Sequence, residues 1–219
     1  MGDSKNKENA NSLESMNKDK DALIVFVKNP LLGKVKTRLA QKIGLKNALR
    51  IYQKLLNHTL KIILPLTQDV IIYYSDEVII DDMWAGRQFL KEKQSGIDLG
   101  NKMSNAFNEC FSKGYKKICI IGSDNLEITT EIIEQAFHVL NETDIVIGPA
   151  TDGGYYLAGM KAQYSEIFKN KSWSTSRVLE ETINDLKDQT LSYSLLKTLS
   201  DIDTYKDLKK AIDRGLISN

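Results

Sequence analysis

Four short stretches hold residues whose type and spacing could do chemistry. KNPLLGKVKTRLA, Lys28 to Ala40, puts Lys28, Lys34, Lys36 and Arg38 in one strand–loop–helix passage. A helix start exposes unpaired N–H groups and a partial positive charge, and added Lys and Arg make it a seat for phosphates. The alternative is a solvated basic helix start. IIGSDNLEIT places Asp124 just past an apolar run. One carboxylate at a strand end can hold Mg²⁺, which binds through one or two carboxylates plus substrate phosphates. The same residue could instead make an Asx turn. LSDIDTYKDL offers Asp201 and Asp203 as metal ligands, against the commoner use of Asp203 or Thr204 as a helix cap. PATDGGYYLAG sets Asp152 beside Gly153 and Gly154 between two strand-like runs, either as a tight turn or as backbone that a ligand can approach closely.

Other candidates are thinner. In QSGIDLGNKM, Gly96 and Gly100 frame Asp98, an N-cap or part of a ligand-reading loop. Trp173 in KSWSTSR could stack on a ligand ring or fill a half-buried core position. His58 and His138 sit inside helical patterns with no partner His or Cys and read as structural. The basic stretch lacks the G-x-x-x-x-G-K-[ST] spacing of a P-loop, the chain lacks the dinucleotide G-x-G-x-x-G, and G-x-S-x-G is absent.

The elements that must position these residues follow from periodicity. ALIVFVK from Ala22 is a continuous apolar run, as a strand buried on both faces requires. GLKNALRIYQKLLNHTLKIILP carries Ala48, Ile51, Leu55, Leu56, Leu60 and Ile63 at helical spacing and stops before Pro65. DVIIYYS and the weaker RQFLKEKQ read as strands, and Met103, Ala106, Phe107, Cys110 and Phe111 mark one face of a helix that Gly114 ends. KICIIG, TDIVIG and YYLAGM are strands, Thr129 or Thr130 caps EIIEQAFHVL, and STSRVLEETINDLKD is a helix. TLSYSLL suits an edge strand, and a last helix follows DIDT. Strands alternating with helices predict a mostly parallel sheet covered on both faces, with ligands bound outside the carboxyl ends of the strands. The basic loop, the Asp124 loop and the Asp152 loop all leave strands and should therefore gather at one edge.

A chain of 219 residues with 42% hydrophobic content suits one α/β domain, expected over 21–219 behind a polar, disordered tail over 1–20. A net charge of +1 gives no global field for nucleic acid or anionic membrane. Two cysteines make no disulfide framework or metal spacing and read as cytosolic thiols, and no apolar run reaches the roughly 20 residues of a membrane span. A cytoplasmic location is expected.

The blocks KNPLLGKVKTRLA, GIDLGNKM, IIGSDNLEIT, GPATDGGYYLAGM, SWST and DIDTYKDL, in that order, resemble the radical-SAM/selenodomain-associated, glycosyltransferase-like transferases. That family is similar to the GT-A nucleotide-diphospho-sugar transferases and to the guanylyltransferases of molybdenum-cofactor and phospholactate metabolism. The resemblance runs from about Ala22 to Leu208. It implies a three-layer α/β/α sandwich of GT-A type and a metal-dependent transfer from a nucleoside triphosphate or nucleotide sugar to a small-molecule acceptor, with Mg²⁺ or Mn²⁺ as cofactor. Carried over by motif, Lys28, Lys36 and Arg38 would face donor phosphates, with Asp98 and Lys102 on the nucleotide side. Asp124 would bind the metal and take part in catalysis, and Asp203 would be a second metal ligand. Asp152 would act as base or positioner, and Gly153, Gly154 and Trp173 would line the acceptor side. Two positions depart from the pattern: Leu126 stands where the family carries Pro, and Lys102 where it carries Arg. Lys keeps the charge but not the bidentate fork of Arg.

Overall fold

The computed structural model describes residues 20–86 and 88–217. The expected tail, apart from Lys20, lies outside them. Seven strands form one sheet: β1 (Ala22–Val27), β2 (Asp69–Tyr74), β3 (Leu90–Lys93), β4 (Ile118–Ile121), β5 (Ile145–Pro149), β6 (Tyr155–Met160) and β7 (Tyr193–Leu195). Their spatial order is β3-β2-β1-β4-β6-β5-β7. Every neighbouring pair is parallel except those made by β6, which runs antiparallel to both β4 and β5.

Central strands are buried on both faces, which is why they read as unbroken apolar runs rather than alternating ones. β4 is fully buried, and β1 nearly so. Side chains alternate between two cores. Leu23, Val25, Cys119, Ile121 and Val146 point to one, and Ile24, Ile118, Ile120, Ile145 and Ile147 to the other.

Helices cover each face. α1 (Thr37–Ile43), α2 (Leu45–Ile63), α4 (Thr130–Val139) and α6 (Tyr205–Asp213) contribute Leu39, Leu55, Phe137 and Leu208 to the first core. α3 (Leu99–Ser112) and α5 (Val178–Asp188), with a 3₁₀ turn over Ser165–Phe168, contribute Phe107, Leu186 and Phe168 to the second. The result is the expected α/β/α sandwich.

Local signals behave as their chemistry dictates. α2 ends at Ile63 ahead of Pro65, and Gly114 takes φ +93° just past α3. The Asp98 carboxylate caps α3 by accepting from the Asn101 N–H at 2.7 Å. Thr129 caps α4, and Thr204 caps α6 in a reciprocal box with Asp207. His58 is structural as expected, its Nε2 standing 2.9 Å from the Ile128 carbonyl.

Candidate functional site

Because all strands but β6 point the same way, the loops after β1, β2, β4 and β5 emerge at one edge, together with the start of β6. There they enclose a cleft of about 680 Å³. Lys28, Lys36, Arg38, Asp98, Lys102, Asp124, Asp152, Gly154, Trp173 and Asp203 all line it. Of the residues expected there from the sequence, Gly153 and Lys34 do not.

The floor is built around Lys36. It is 7% exposed, and its backbone sits at φ 48°, ψ 45° immediately before α1. A left-handed lysine is strained and persists only where its surroundings over-determine it. Its Nζ donates to Asp124 Oδ2 at 3.1 Å, across 88 residues of sequence. Burial pushes the Asp124 carboxyl up, but Lys36 and Lys28 outweigh that and hold it below the ordinary carboxylate value. α2 fixes the two loops that bring these charges together. Tyr52 Oη accepts from the Lys28 N–H at 2.8 Å, reaches the Lys28 carbonyl at 3.1 Å and exchanges a hydrogen bond with Ser123 Oγ at 3.2 Å. Burial raises this phenol to about 12, so it stays a neutral tie.

Beyond Asp124 the loop is braced by Asn125, not by a proline. Asn125 Oδ1 accepts from the Glu127 and Ile128 N–H groups at 2.7 and 3.2 Å, and its Nδ2 donates to Asp201 Oδ1 at 2.8 Å. Leu126 is then free to pack into the core at 8% exposure. The Ile202 N–H donates to the Asp124 carbonyl at 3.1 Å, which anchors the late acidic turn against this loop.

That turn brings both of its carboxylates to the cleft. Asp203 sits at the rim, accepting from Arg38 Nη1 at 3.1 Å with both side chains substantially exposed. Asp201 is the one that faces inward. Burial first, and then the charges of Asp124 and Asp152, raise its carboxyl to about 8. The D-x-D spelling offers both residues, and only the long-range bonds from Asn125 and Ile202 decide which one turns in.

The β5–β6 hairpin supplies the opposite wall. Asp152, which lines the cleft, accepts from the Gly154 N–H through Oδ1 at 2.9 Å, an Asx turn. Gly153 is seated against the Ser176 backbone. At φ +90°, a Cβ there would meet the Ser176 carbonyl oxygen at 2.2 Å. Trp173 is half-buried, edge-on to Tyr155 with ring centroids 6.3 Å apart, and a Cβ on Gly100 would fall 2.7 Å from its ring. Lys102 enters from α3, on the sheet face opposite α1.

Among the described residues, no group of three or more His, Cys, Asp or Glu could hold a metal alone. Asp124 and Asp201 nevertheless suit Mg²⁺ or Mn²⁺. The charge of Asp124 helps raise the Asp201 carboxyl, so a cation between the two would relieve it, and one or two carboxylates are the donor set of an ion that completes its shell with phosphate oxygens. No helix among the described residues is long and apolar enough to cross a membrane.

Comparison with known proteins agrees with this architecture. The profile of a family described as "Uncharacterized protein conserved in bacteria (DUF2064)" matches residues 59–175. No curated protein matches the chain. A crystal structure described as a "putative nucleotide-diphospho-sugar transferase" from Desulfovibrio desulfuricans G20 superposes with a TM-score of 0.82 at 31% identity, over 89% of this chain and 87% of that one. Two more distant structures share the fold. The 4-diphosphocytidyl-2C-methyl-D-erythritol synthase of Anaerococcus prevotii DSM 20548 has a TM-score of 0.60 at 10% identity, covering 94% of this chain and 99% of that one. Rv0371c of Mycobacterium tuberculosis H37Rv, solved with manganese, has a TM-score of 0.54 at 12% identity, covering 90% and 100%.

Proposed function

The chain belongs to the DUF2064 family of uncharacterized bacterial proteins, and from that premise we propose that it is a metal-dependent, glycosyltransferase-like transferase using a nucleotide-activated donor. The observation that carries this reading is the buried, left-handed Lys36 aimed at Asp124 within a cleft at the carboxyl edge of the sheet. The narrower kinship with radical-SAM/selenodomain-associated transferases belongs to the same reading.

The donor diphosphate lies against Lys28, Lys36 and Arg38, and Arg38 exchanges Asp203 for phosphate oxygens. Asp124 and Asp201 would hold Mg²⁺ or Mn²⁺, which would offset charge on the leaving phosphate. Asp152 positions the acceptor hydroxyl and takes its proton as the oxygen bonds to the sugar carbon. The carbon–oxygen bond to the diphosphate breaks, and the nucleoside diphosphate leaves with the electron pair. Trp173 and Gly154 line the acceptor side. The two cysteines, both free and buried, suit a cytoplasmic setting.

One observation favours a second reading, nucleotidyl transfer. Lys102 supplies a cation from the opposite face of the sheet, where a phosphorylated acceptor would need one. An acceptor phosphate oxygen would then attack the α-phosphorus of a nucleoside triphosphate and release pyrophosphate.

The test is a panel of nucleoside triphosphates and nucleotide sugars scored by thermal shift with and without Mn²⁺. A ligand at 100 times its Kd adds about 2.7 kcal/mol of stability. Turnover of the stabilising donor is then followed by phosphorus NMR. Nucleoside diphosphate marks glycosyl transfer and pyrophosphate marks nucleotidyl transfer. Binding without turnover would make the protein a nucleotide-responsive regulator, and no stabilisation by any donor would end both readings.

A further inference from the structure

Behind the acidic turn lies a second recess of about 270 Å³ that the transfer reading does not use. One stripe of α6, Asp207, Lys210 and Ala211, continues into its C-cap Arg214 and forms a wall at helical spacing. Leu126, Ile202 and Leu216 make an apolar floor. Lys197 and Lys210 stand exposed at the mouth, and Thr198 and Ser200 add hydroxyls.

Three acids line it, and each already holds hydrogen-bond donors or a cation; Asp201 accepts from Asn125 Nδ2 at 2.8 Å. Glu127 pairs with Arg214 and accepts from the Ser200 N–H at 2.9 Å. Asp207 is spent on the α6 capping box, accepting from the Thr204 N–H at 2.8 Å and its hydroxyl at 2.7 Å. Lys197 and Lys210 thus line the recess together with an apolar floor and hydroxyl groups, which is the chemistry of a small organic anion with an apolar body.

The recess shares its back wall with the cleft. Asp201 lines both. Tyr156, in the cleft, donates from its hydroxyl to the carbonyl of Lys197, in the recess, at 3.0 Å. The Ile202 N–H, on the recess floor, holds the Asp124 carbonyl.

We propose that this recess is a second, regulatory site for a small phosphate- or carboxylate-bearing molecule, read by Lys197 and Lys210 and coupled to the cleft through the segment 197–202. The site itself stands apart from the transfer reading. Only the claim that it regulates transfer rests on that reading.

The test uses the full chain and amide NMR. Inorganic phosphate and, separately, malonate are titrated while the amides of Thr198, Ser200 and Lys210 report the recess and those of Gly122 and Gly154 report the cleft. One saturating curve at the recess amides, with a smaller response at Gly122, is the expected result. The anion giving the tighter curve distinguishes a phosphate from a carboxylate ligand. Lys36→Ala, which removes the cleft's central cation, should leave the recess curve in place. Lys197→Glu and Lys210→Glu should each weaken it about tenfold or more, the scale of one charged hydrogen bond, and the milder Lys210→Gln should do so in the same direction. A response confined to the cleft amides, or recess binding unmoved by these substitutions, overturns the proposal. A recess response that never reaches Gly122 overturns the coupling alone, whatever the transfer assay shows.

Discussion

Among single residues, Asp124 and Asp201 carry most of the chemistry proposed here, and conservative substitutions separate their roles from structural ones. Asp124→Asn keeps the shape and some hydrogen bonding but removes the charge that Lys36 faces at 3.1 Å. Metal and nucleotide should bind together in the native protein, each raising the other's affinity by the same factor. That coupling should vanish in Asp124→Asn, leaving a weaker, metal-independent affinity from Lys28, Lys36 and Arg38. Nucleotide titrations with and without Mn²⁺ measure it, and equal coupling in both proteins would remove Asp124 from the site. The same titration ranks the late carboxylates: Asp201→Asn should lose the coupling, whereas Asp203→Asn should keep it. Arg38→Ala should weaken nucleotide binding by about 1.5–3 kcal/mol, the range for charged hydrogen bonds, with the fold intact. Unchanged affinity by calorimetry would return Arg38 to a rim ion pair with Asp203.

Most of the fold was legible at the scale of elements because its signals are local. α2 shows its apolar stripe over five turns, and β1 and β4 are apolar without interruption because both of their faces are buried. The reversal of β6 was not legible. YYLAGM is nearly as buried as β4 and β5 beside it, and period and composition carry no sign of strand direction. The inward turn of Asp201 and the packing role of Gly153 were equally hidden, since both are set by partners far along the chain. Gly153 gives this a stability test. Its φ of +90° and a Cβ contact of 2.2 Å to the Ser176 backbone predict that Gly153→Ala destabilises by about 1–3 kcal/mol. At Gly154 an added Cβ would come only within 3.3 Å of its own turn's Asp152 oxygen, so alanine there should be accepted with far less loss. Denaturant midpoints compare the two, and equal tolerance would show that the hairpin does not need its backbone seated against Ser176. Tyr52→Phe tests the tie between β1 and the Asp124 loop. Leaving the part-buried Lys28 N–H without its acceptor should cost about 1 kcal/mol.

For the molecule as a whole, acid should open the sheet edge early. Asp144 accepts from the Ser192 hydroxyl and N–H at 2.6 and 2.9 Å and pairs with Lys161 at 3.2 Å, joining the entry to β5, the exit of β6 and the start of β7. The Ser192 hydroxyl chiefly, helped by the Ser192 N–H and Lys161, lowers its carboxyl to about 2. A depressed folded-state value means that the stabilisation is complete above the unfolded value of about 4 and is lost as pH falls toward 2. Stability measured by urea unfolding should fall over that window, and Asp144→Asn should flatten this part of the decline. An unchanged pH slope in the variant would assign the acid sensitivity elsewhere.

The ion pair between Arg38 and Asp203 spans 165 positions, nearly the length of the chain described. Contacts of such separation form only after the intervening chain has closed its loops, so the cleft is among the last features to assemble and no fragment carries it. On the transfer reading, a donor that takes Arg38 from Asp203 and meets Asp124 and Asp201 through a metal ion would replace that ion pair with a link between early and late segments, and so would report on the finished molecule. Its presence during refolding should not speed the first steps, but it should slow unfolding and protect the chain from proteases. In a growing cell, the abundance of this protein would then track the supply of its own donor.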